Sequence, residues 1–346
     1  MREDKWDRRP AEAITRAPLL SVVVPVYGSP ASLALLAERV AAAAHAAGVA
    51  HELLLVDDRC PRGSWPIAKA LALESESIKA VRLSRNFGQH AAIQAGLSEA
   101  RGDWVVVMDC DLQDRPEEIP NLLRTAIEGQ WDVVQATRGS RPGDAWHRKA
   151  LSKTFYAVLG YLTGANQSAE IANFGIYHRR VIDTIISWDE ETKYFPAILS
   201  WVGFSKTTLA VSRDCRLEGK SSYSLLKLLT LGIDVAIGFS DRPLRLVMGI
   251  GLMISTFSFL ITIMLIGMHL SGSARITGWA SLIVSIWFLG GVSIFFLGLV
   301  GLYIGRILRE AKGRPSFIVD EIVTDSRSSP VARTAWSDCA AAATRL

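Results

Sequence analysis

The run Asp109-Cys110-Asp111-Leu112-Gln113-Asp114 follows directly on the apolar stretch Trp104–Met108. Two carboxylates two residues apart at a strand end can meet one hard cation. Mg²⁺ takes one or two carboxylates and completes its shell with water and substrate phosphates. Held that way, it can neutralise a diphosphate leaving group. A second acidic pair, Asp57-Asp58, ends the apolar run Glu52–Val56. A carboxylate there can accept hydrogen bonds from a ribose or a base N–H, and one of the two can equally cap the next helix. Ser84-Arg85-Asn86-Phe87-Gly88 follows a third such run. In it, Arg85 suits a phosphate and Gly88 a tight turn. Arg138 and Arg141 bracket a Gly-Ser pair after a fifth run, giving a basic loop that suits an anionic ligand or plain solvation. Further on, Arg216, Gly219, Lys220, Ser221 and Tyr223 combine basic side chains, a glycine and hydroxyls. That mixture suits a lipid phosphate, and it equally suits attraction to anionic headgroups.

These groups need a scaffold, and the chain spells one out. After a charged tail over residues 1–18, short β-branched runs alternate with helical stretches. Strands are expected at Leu20–Val26, Glu52–Val56, Ile78–Leu83, Trp104–Met108 and Asp132–Ala136. Helices are expected at Ser32–Gly48, Ser64–Glu74, Gly88–Ala100 and Pro116–Glu128. Such alternation implies an α/β fold with a mostly parallel sheet covered on both faces. Ligands of these sheets sit beyond the carboxyl ends of the strands. Both acidic pairs fall at that edge.

The composition then shifts. No Asp, Glu, Lys or Arg occurs between Arg245 and Arg275, or between Arg275 and Arg306. Each stretch exceeds the roughly 20 residues that cross a hydrocarbon core. With the short connection Ser271–Gly278 they make a two-helix transmembrane hairpin. Basic residues Lys227, Arg242, Arg245, Arg306, Arg309, Lys312 and Arg314 flank it, against Arg275 alone in the connection. The positive-inside bias puts the large domain and both termini in the cytoplasm, at the inner membrane. Ser221–Phe239 reads as a helix at the membrane surface or one packed on the sheet, and Ser316–Val323 as a short strand. Residues 324–346 read as disordered. The divisions are a tail (1–18), a catalytic domain (19–218), a juxtamembrane segment (219–243), the hairpin (244–305) and a C-terminal tail (306–346).

The overall balance agrees. At 346 residues, 49% apolar and 21% charged, the chain suits a soluble domain joined to a membrane segment. A net charge of +4 does not argue for nucleic acid. Four scattered cysteines without CxxC spacing fit a reducing compartment. No P-loop and no Ser/His/Asp arrangement is visible, and His90, His147 and His178 read as structural.

Taken together, Val22-Val23-Val24-Pro25-Val26-Tyr27, Val56-Asp57-Asp58, Ser84–Gly88 and Asp109–Glu117 resemble glycosyltransferase family 2. With Gly219–Tyr223 and the hairpin, the chain resembles its polyprenyl-phosphate glycosyltransferases, the dolichyl-phosphate-mannose-synthase-like group, over about residues 19–320. The resemblance implies a GT-A (Rossmann-like) fold and an inverting transfer from a nucleotide sugar, UDP being the expected nucleotide. It implies that Pro25, Tyr27, Asp57, Asp58, Arg85 and Asp109 bind the nucleotide sugar. Asp109, Asp111 and Gln113 would hold Mg²⁺ or Mn²⁺, with Asp111, Gln113 and Arg216 in catalytic roles. Arg138, Arg141, Asn173, Lys220, Ser221 and Tyr223 would bind the acceptor, a polyprenyl (undecaprenyl) phosphate, in cell-envelope glycan synthesis. A homo-oligomer is compatible with it.

Two departures stand out. Many relatives read Asp-Asp-Gly-Ser where this chain has Asp57-Asp58-Arg59-Cys60, and many carry an acid where Asn173 precedes Phe174. Asn cannot act as a base. A phosphate monoester, with a second pKa near about 6, is largely dianionic at neutral pH and needs none. A sugar-hydroxyl acceptor would need one. The departure at Asn173 therefore favours a phosphate acceptor, unless Asp114 or Glu170 serves as the base. Transfer to a glycan hydroxyl, and a non-catalytic membrane scaffold, are the competing readings.

Overall fold

The computed structural model describes residues 18–138, 171–188, 195–212, 214, 242–271 and 278–325. Eight strands form one sheet: β1 (Leu19–Val26), β2 (Ala50–Asp57), β3 (Ile78–Leu83), β4 (Trp104–Val107), β5 (Val133–Arg138), β6 (Ile171–His178), β7 (Lys206–Val211) and β8 (Val319–Val323). Their order across the sheet is β7-β5-β6-β4-β1-β2-β3-β8. The block β4-β1-β2-β3 is parallel, as the alternation of strands and helices expects. The rest makes the sheet mixed, with β7 parallel to β5 and four of the seven pairings parallel in all. Strand β6 inserts antiparallel between β4 and β5, and β8 closes the far edge antiparallel to β3.

Side chains on successive strand residues point to opposite faces, so a run of apolar residues buries both. Leu20, Val22, Val24 and Val26 of β1 pack with α1 (Leu33–Ala46), α2 (Ser64–Glu74) and α4 (Ile119–Glu128). Val23, between them, packs on the other face with α3 (Gln89–Glu99), α5 (Arg179–Ile186) and α6 (Phe195–Trp201). Helix α3 lies close on β1 because Gly96 has no side chain: a Cβ there would fall 2.3 Å from Val23. Helix α1 ends at Ala46, and Gly48, at φ +68°, turns the chain into β2.

Two long helices follow, α7 (Arg242–Leu270) and α8 (Trp279–Ala311). They touch where Gly251 of α7 approaches the Phe296 ring of α8. Apolar side chains that face outward include Leu252, Phe257, Trp287 and Phe295. By length and composition, the stretch Ser285–Ala311 can cross a membrane. The apolar stretch of α7 is shorter, Val247–Ile261. The sequence-expected surface helix Ser221–Phe239, the charged tail 1–17 and residues 326–346 lie outside the described residues.

Candidate functional site

The carboxyl edge of the parallel block gathers the acids. Asp57 is the last residue of β2, in register with Val26 of β1 and Arg82 of β3. It is fully buried. Its Oδ1 accepts the Cys60 N–H at 3.2 Å. Its Oδ2 has no hydrogen-bond partner and lies 3.6 Å from the Arg82 Nε, which also has none. The Arg82 guanidinium stacks 5.3 Å from the centre of the Trp65 ring. Burial pushes the Asp57 carboxyl above its ordinary value; the Cys60 amide, Arg82 and Arg59 pull the other way.

Asp58 is spent differently. Its Oδ1 accepts the Phe87 N–H at 2.7 Å and its Oδ2 the Gly88 N–H at 2.9 Å. Burial raises its pKa as well, against those two amides. Neither acid caps α2, whose N-cap is Gly63. Asp58 instead fixes the loop after β3, where Gly88 takes φ +95°, a conformation that L side chains rarely adopt. Arg85 stands exposed in that loop, its guanidinium 4.5 Å from the centre of the Phe87 ring. Tyr27, just past β1, is also exposed.

The loop reaches the second acidic cluster through Gln89, the first residue of α3, whose Nε2 donates to Asp109 Oδ1 at 2.6 Å. Asp111 is buried, and its Oδ1 accepts the Gln113 N–H at 3.1 Å. Between them Leu112 adopts φ +57°, in the left-handed region, with its side chain in the core. Ser32 donates to the Cys110 carbonyl at 2.6 Å. Burial pushes the Cys110 thiol up to about 11, which keeps it protonated at neutral pH.

Behind this loop, Arg39 of α1 grips Glu117 with two bonds of 2.7 and 2.6 Å and Asp214 with one of 3.2 Å. Asp214 donates its N–H to the Gln113 carbonyl at 3.1 Å. The chain leaving β7 is thereby tied to the acidic loop, two residues before Arg216. Arg141, Arg216, Lys220, Ser221 and Tyr223 themselves lie outside the described residues. Arg138 ends β5 at the same edge, in register with Val211. Asn173 is on β6. The β4–β6 register sets Val107 opposite Gly175, and its continuation sets Asn173 opposite Asp109.

Pro25, Tyr27, Asp57, Asp58, Arg85, Asp109, Asp111, Gln113, Arg138 and Asn173 thus all fall along this edge, and the Phe87–Gln89 loop links Asp58 to Asp109. Sequence reasoning missed Gln89, Arg82, Asp214 and Arg39. Gln89 directly follows the Ser84–Gly88 run, and Arg82 breaks an otherwise buried strand opposite Asp57, so both had a local signal. Asp214 and Arg39 meet across 175 residues, and nothing local marks them.

Among the described residues, no three His, Cys, Asp or Glu side chains group to hold a metal. Asp109, Asp111 and the Gln113 carboxamide offer oxygen donors only. That set fits a hard divalent cation that draws the rest of its shell from water and a diphosphate.

A mixed α/β sheet carrying two acidic pairs at one edge is a GT-A-like arrangement. The model of the glycosyl transferase family 2 domain matches residues 21–187. The glycosyltransferase YkcC of Bacillus subtilis is 35% identical over 301 residues, 87% of this chain and 93% of that protein. The chain belongs to glycosyltransferase family 2. The undecaprenyl-phosphate 4-deoxy-4-formamido-L-arabinose transferase of Aeromonas hydrophila is also 35% identical, over 88% of this chain and 94% of its own length. Among solved structures, a glucosyl-3-phosphoglycerate synthase of Mycobacterium tuberculosis aligns with a TM-score of 0.46 and 16% identity, over 64% of this chain and 76% of that one. A likeness of that size carries no weight for ligand or metal.

Proposed function

We propose that this chain is a membrane-bound glycosyltransferase that moves a sugar from a nucleoside diphosphate, UDP first, to a polyprenyl phosphate. The observation that carries the donor half is the buried Asp57 Oδ2, which accepts no hydrogen bond among the described residues and has only the ion pair to Arg82 at 3.6 Å, at the edge that Asp109 and Asp111 share. A buried carboxylate oxygen that lacks a hydrogen bond costs more than one that has it, so an N–H or O–H donated by a nucleoside is favoured there. The acceptor half is supported by the relatives named for undecaprenyl phosphate and by the neutral side chain at Asn173.

A divalent cation, when bound, would neutralise charge on the diphosphate as it leaves. Asp109, Asp111 and Gln113 would hold it, and Gln89 fixes one Asp109 oxygen in place. Arg85 would meet the donor phosphates. An acceptor phosphate oxygen attacks the anomeric carbon, the bond from that carbon to the diphosphate breaks, and the nucleoside diphosphate departs with the electron pair. The nucleophile is already an anion, so the chain's work is positioning and leaving-group stabilisation.

Helices α7 and α8 would form the hairpin (244–305) that keeps the domain at the cytoplasmic face, with the segment 219–243 at the surface. Seven residues separate α8 from β8, a reach under about 30 Å, so the sheet edge stays close to the end of α8.

The test offers radiolabelled nucleotide sugars to membranes carrying the protein, with undecaprenyl phosphate or a soluble glycan as acceptor. Label in the lipid fraction that depends on undecaprenyl phosphate is expected. Label in the glycan alone would give the function to the hydroxyl-acceptor reading.

A further inference from the structure

We infer that the segment Ser316–Val323, which follows the second apolar helix, is a working part of the donor half of the site, with Asp320 a positioning residue that acts through Arg59. This rests on the donor reading above. Strand β8 reaches both loops that carry donor residues. Its Asp320 takes Arg59 at 2.6 Å, immediately after Asp57-Asp58. The Ile318 carbonyl accepts the N–H of Ser84, where the Arg85 loop begins, at 2.9 Å. Phe317 and Val319 pack with Phe87, Val56, Val81 and Leu83 beneath that loop. Lys69 of α2 bonds Glu321 at 2.6 Å, and Ser316 bonds the buried Gln94 of α3 at 3.1 Å. The segment therefore grips the elements on either side of Asp57 and Asp58.

Arg59 explains why the contact has a purpose. Its backbone sits at φ +53°, the left-handed region that glycine enters without cost. A glycine there would carry no strain, but it would also have no side chain to anchor the loop. An arginine pays strain, and here its side chain crosses to the last strand of the sheet. The loop is thus clamped from the strand that leaves the apolar helix, rather than freed by glycine.

The test uses the full-length protein in detergent, with Asp320→Asn, Asp320→Glu, Arg59→Lys, Arg59→Gly and the double variant Arg59→Gly/Asp320→Asn. Two quantities are read: affinity for UDP and GDP with Mn²⁺, and hydrogen exchange over residues 57–63 and 84–88. Asp320→Asn and Arg59→Gly are each expected to weaken nucleotide binding roughly two- to fivefold, the scale of an exposed ion pair. They are also expected to speed exchange over 57–63. The conservative Asp320→Glu and Arg59→Lys should stay near wild type, and the double variant should be no worse than either single loss. Unchanged exchange over 57–63 in both loss variants, or additive losses in the double, overturns the clamp. If the wild type binds neither nucleotide, the donor reading falls by that result alone, while the exchange data still decide whether Asp320 orders the loop.

Discussion

The two acidic pairs share an edge but are built for different work. In the first, three of the four carboxylate oxygens of Asp57 and Asp58 are bonded by backbone amides of the chain. The fourth, Asp57 Oδ2, is buried and accepts no hydrogen bond among the described residues, with only Arg82 near it at 3.6 Å. That pair is preformed: its loop geometry is paid for by folding, and one acceptor is left to be read. In the second, Asp109 is only half-buried and is steadied by a side-chain amide, and Asp111 accepts the backbone amide of Gln113 across the left-handed Leu112. That pair offers charge to something that must bring ligands of its own. In the proposed function the first pair recognises the donor and the second holds the cation, and their environments differ accordingly.

The sharpest way to break this contrast is at Asp111. Asp111→Asn should lower sugar transfer by on the order of a hundredfold or more while far-UV circular dichroism stays unchanged, because a neutral amide holds a divalent cation far less well than a carboxylate and the cation is what neutralises the diphosphate. Full transfer by this variant in the presence of a chelator would remove the neutralising role. Next is metal affinity itself. With only two carboxylates and a carboxamide to offer, Mn²⁺ should bind weakly alone and at least about tenfold more tightly once UDP is added. Electron paramagnetic resonance of free Mn²⁺ reads this directly, and equal binding with and without nucleotide would show a site complete in itself.

A third test addresses the preformed pair. Asp58→Asn turns an acceptor into an NH₂ group facing the Phe87 or Gly88 N–H. The unsatisfied donor should cost about 1–3 kcal/mol of stability, seen as a lower denaturation midpoint, and should raise donor KM with little change in kcat. A stability loss without a KM change would mean that the Phe87-Gly88 loop does not serve the donor.

The smallest effect is in pH. Burial holds Asp57 and Asp58 above the ordinary value of 3.8. The native state then keeps protons that the unfolded chain has released. The stability from this pair is fully present below 3.8 and is lost as pH rises through the raised values. Glu117 has the opposite sign. The Arg39 guanidinium holds it below its ordinary 4.5, so its contribution is present above 4.5 and is lost as pH falls through the lowered value. Asp57→Asn should therefore lose less stability than wild type as pH rises from about 4 to neutrality. Parallel curves from chemical denaturation would take Asp57 out of that balance.

Much of this was legible beforehand where neighbours in sequence are neighbours in space. Ser64–Glu74 and Ile78–Leu83 fall where their periodicity and turn residues put them. The acids lie at strand ends because an apolar run must stop where water begins. The short strand expected within Ser316–Val323 also exists, but its place beside β3 does not follow from its own residues. Strand β6 was beyond reach for a similar reason. Ile171–His178 alternates little, and its partners are β4 and β5, so only the assembled sheet says that it runs against both. The division of labour between Asp57 and Asp58 was invisible too. Adjacent identical residues cannot be told apart until the Phe87 and Gly88 amides are seen to choose one of them.

The late strand has a consequence for how the protein is made. Arg59 and Asp320 are 261 residues apart. At synthesis rates of about 5–20 residues per second, the loop at Arg59 waits roughly 13–50 s for its partner. Throughout that interval the β3 edge is an open row of backbone donors and acceptors, a template for joining other chains. The donor half thus leaves the ribosome well before it can be finished. Its completion waits on the emergence of both long apolar helices, so a delay in housing them would leave a sticky half-built sheet behind.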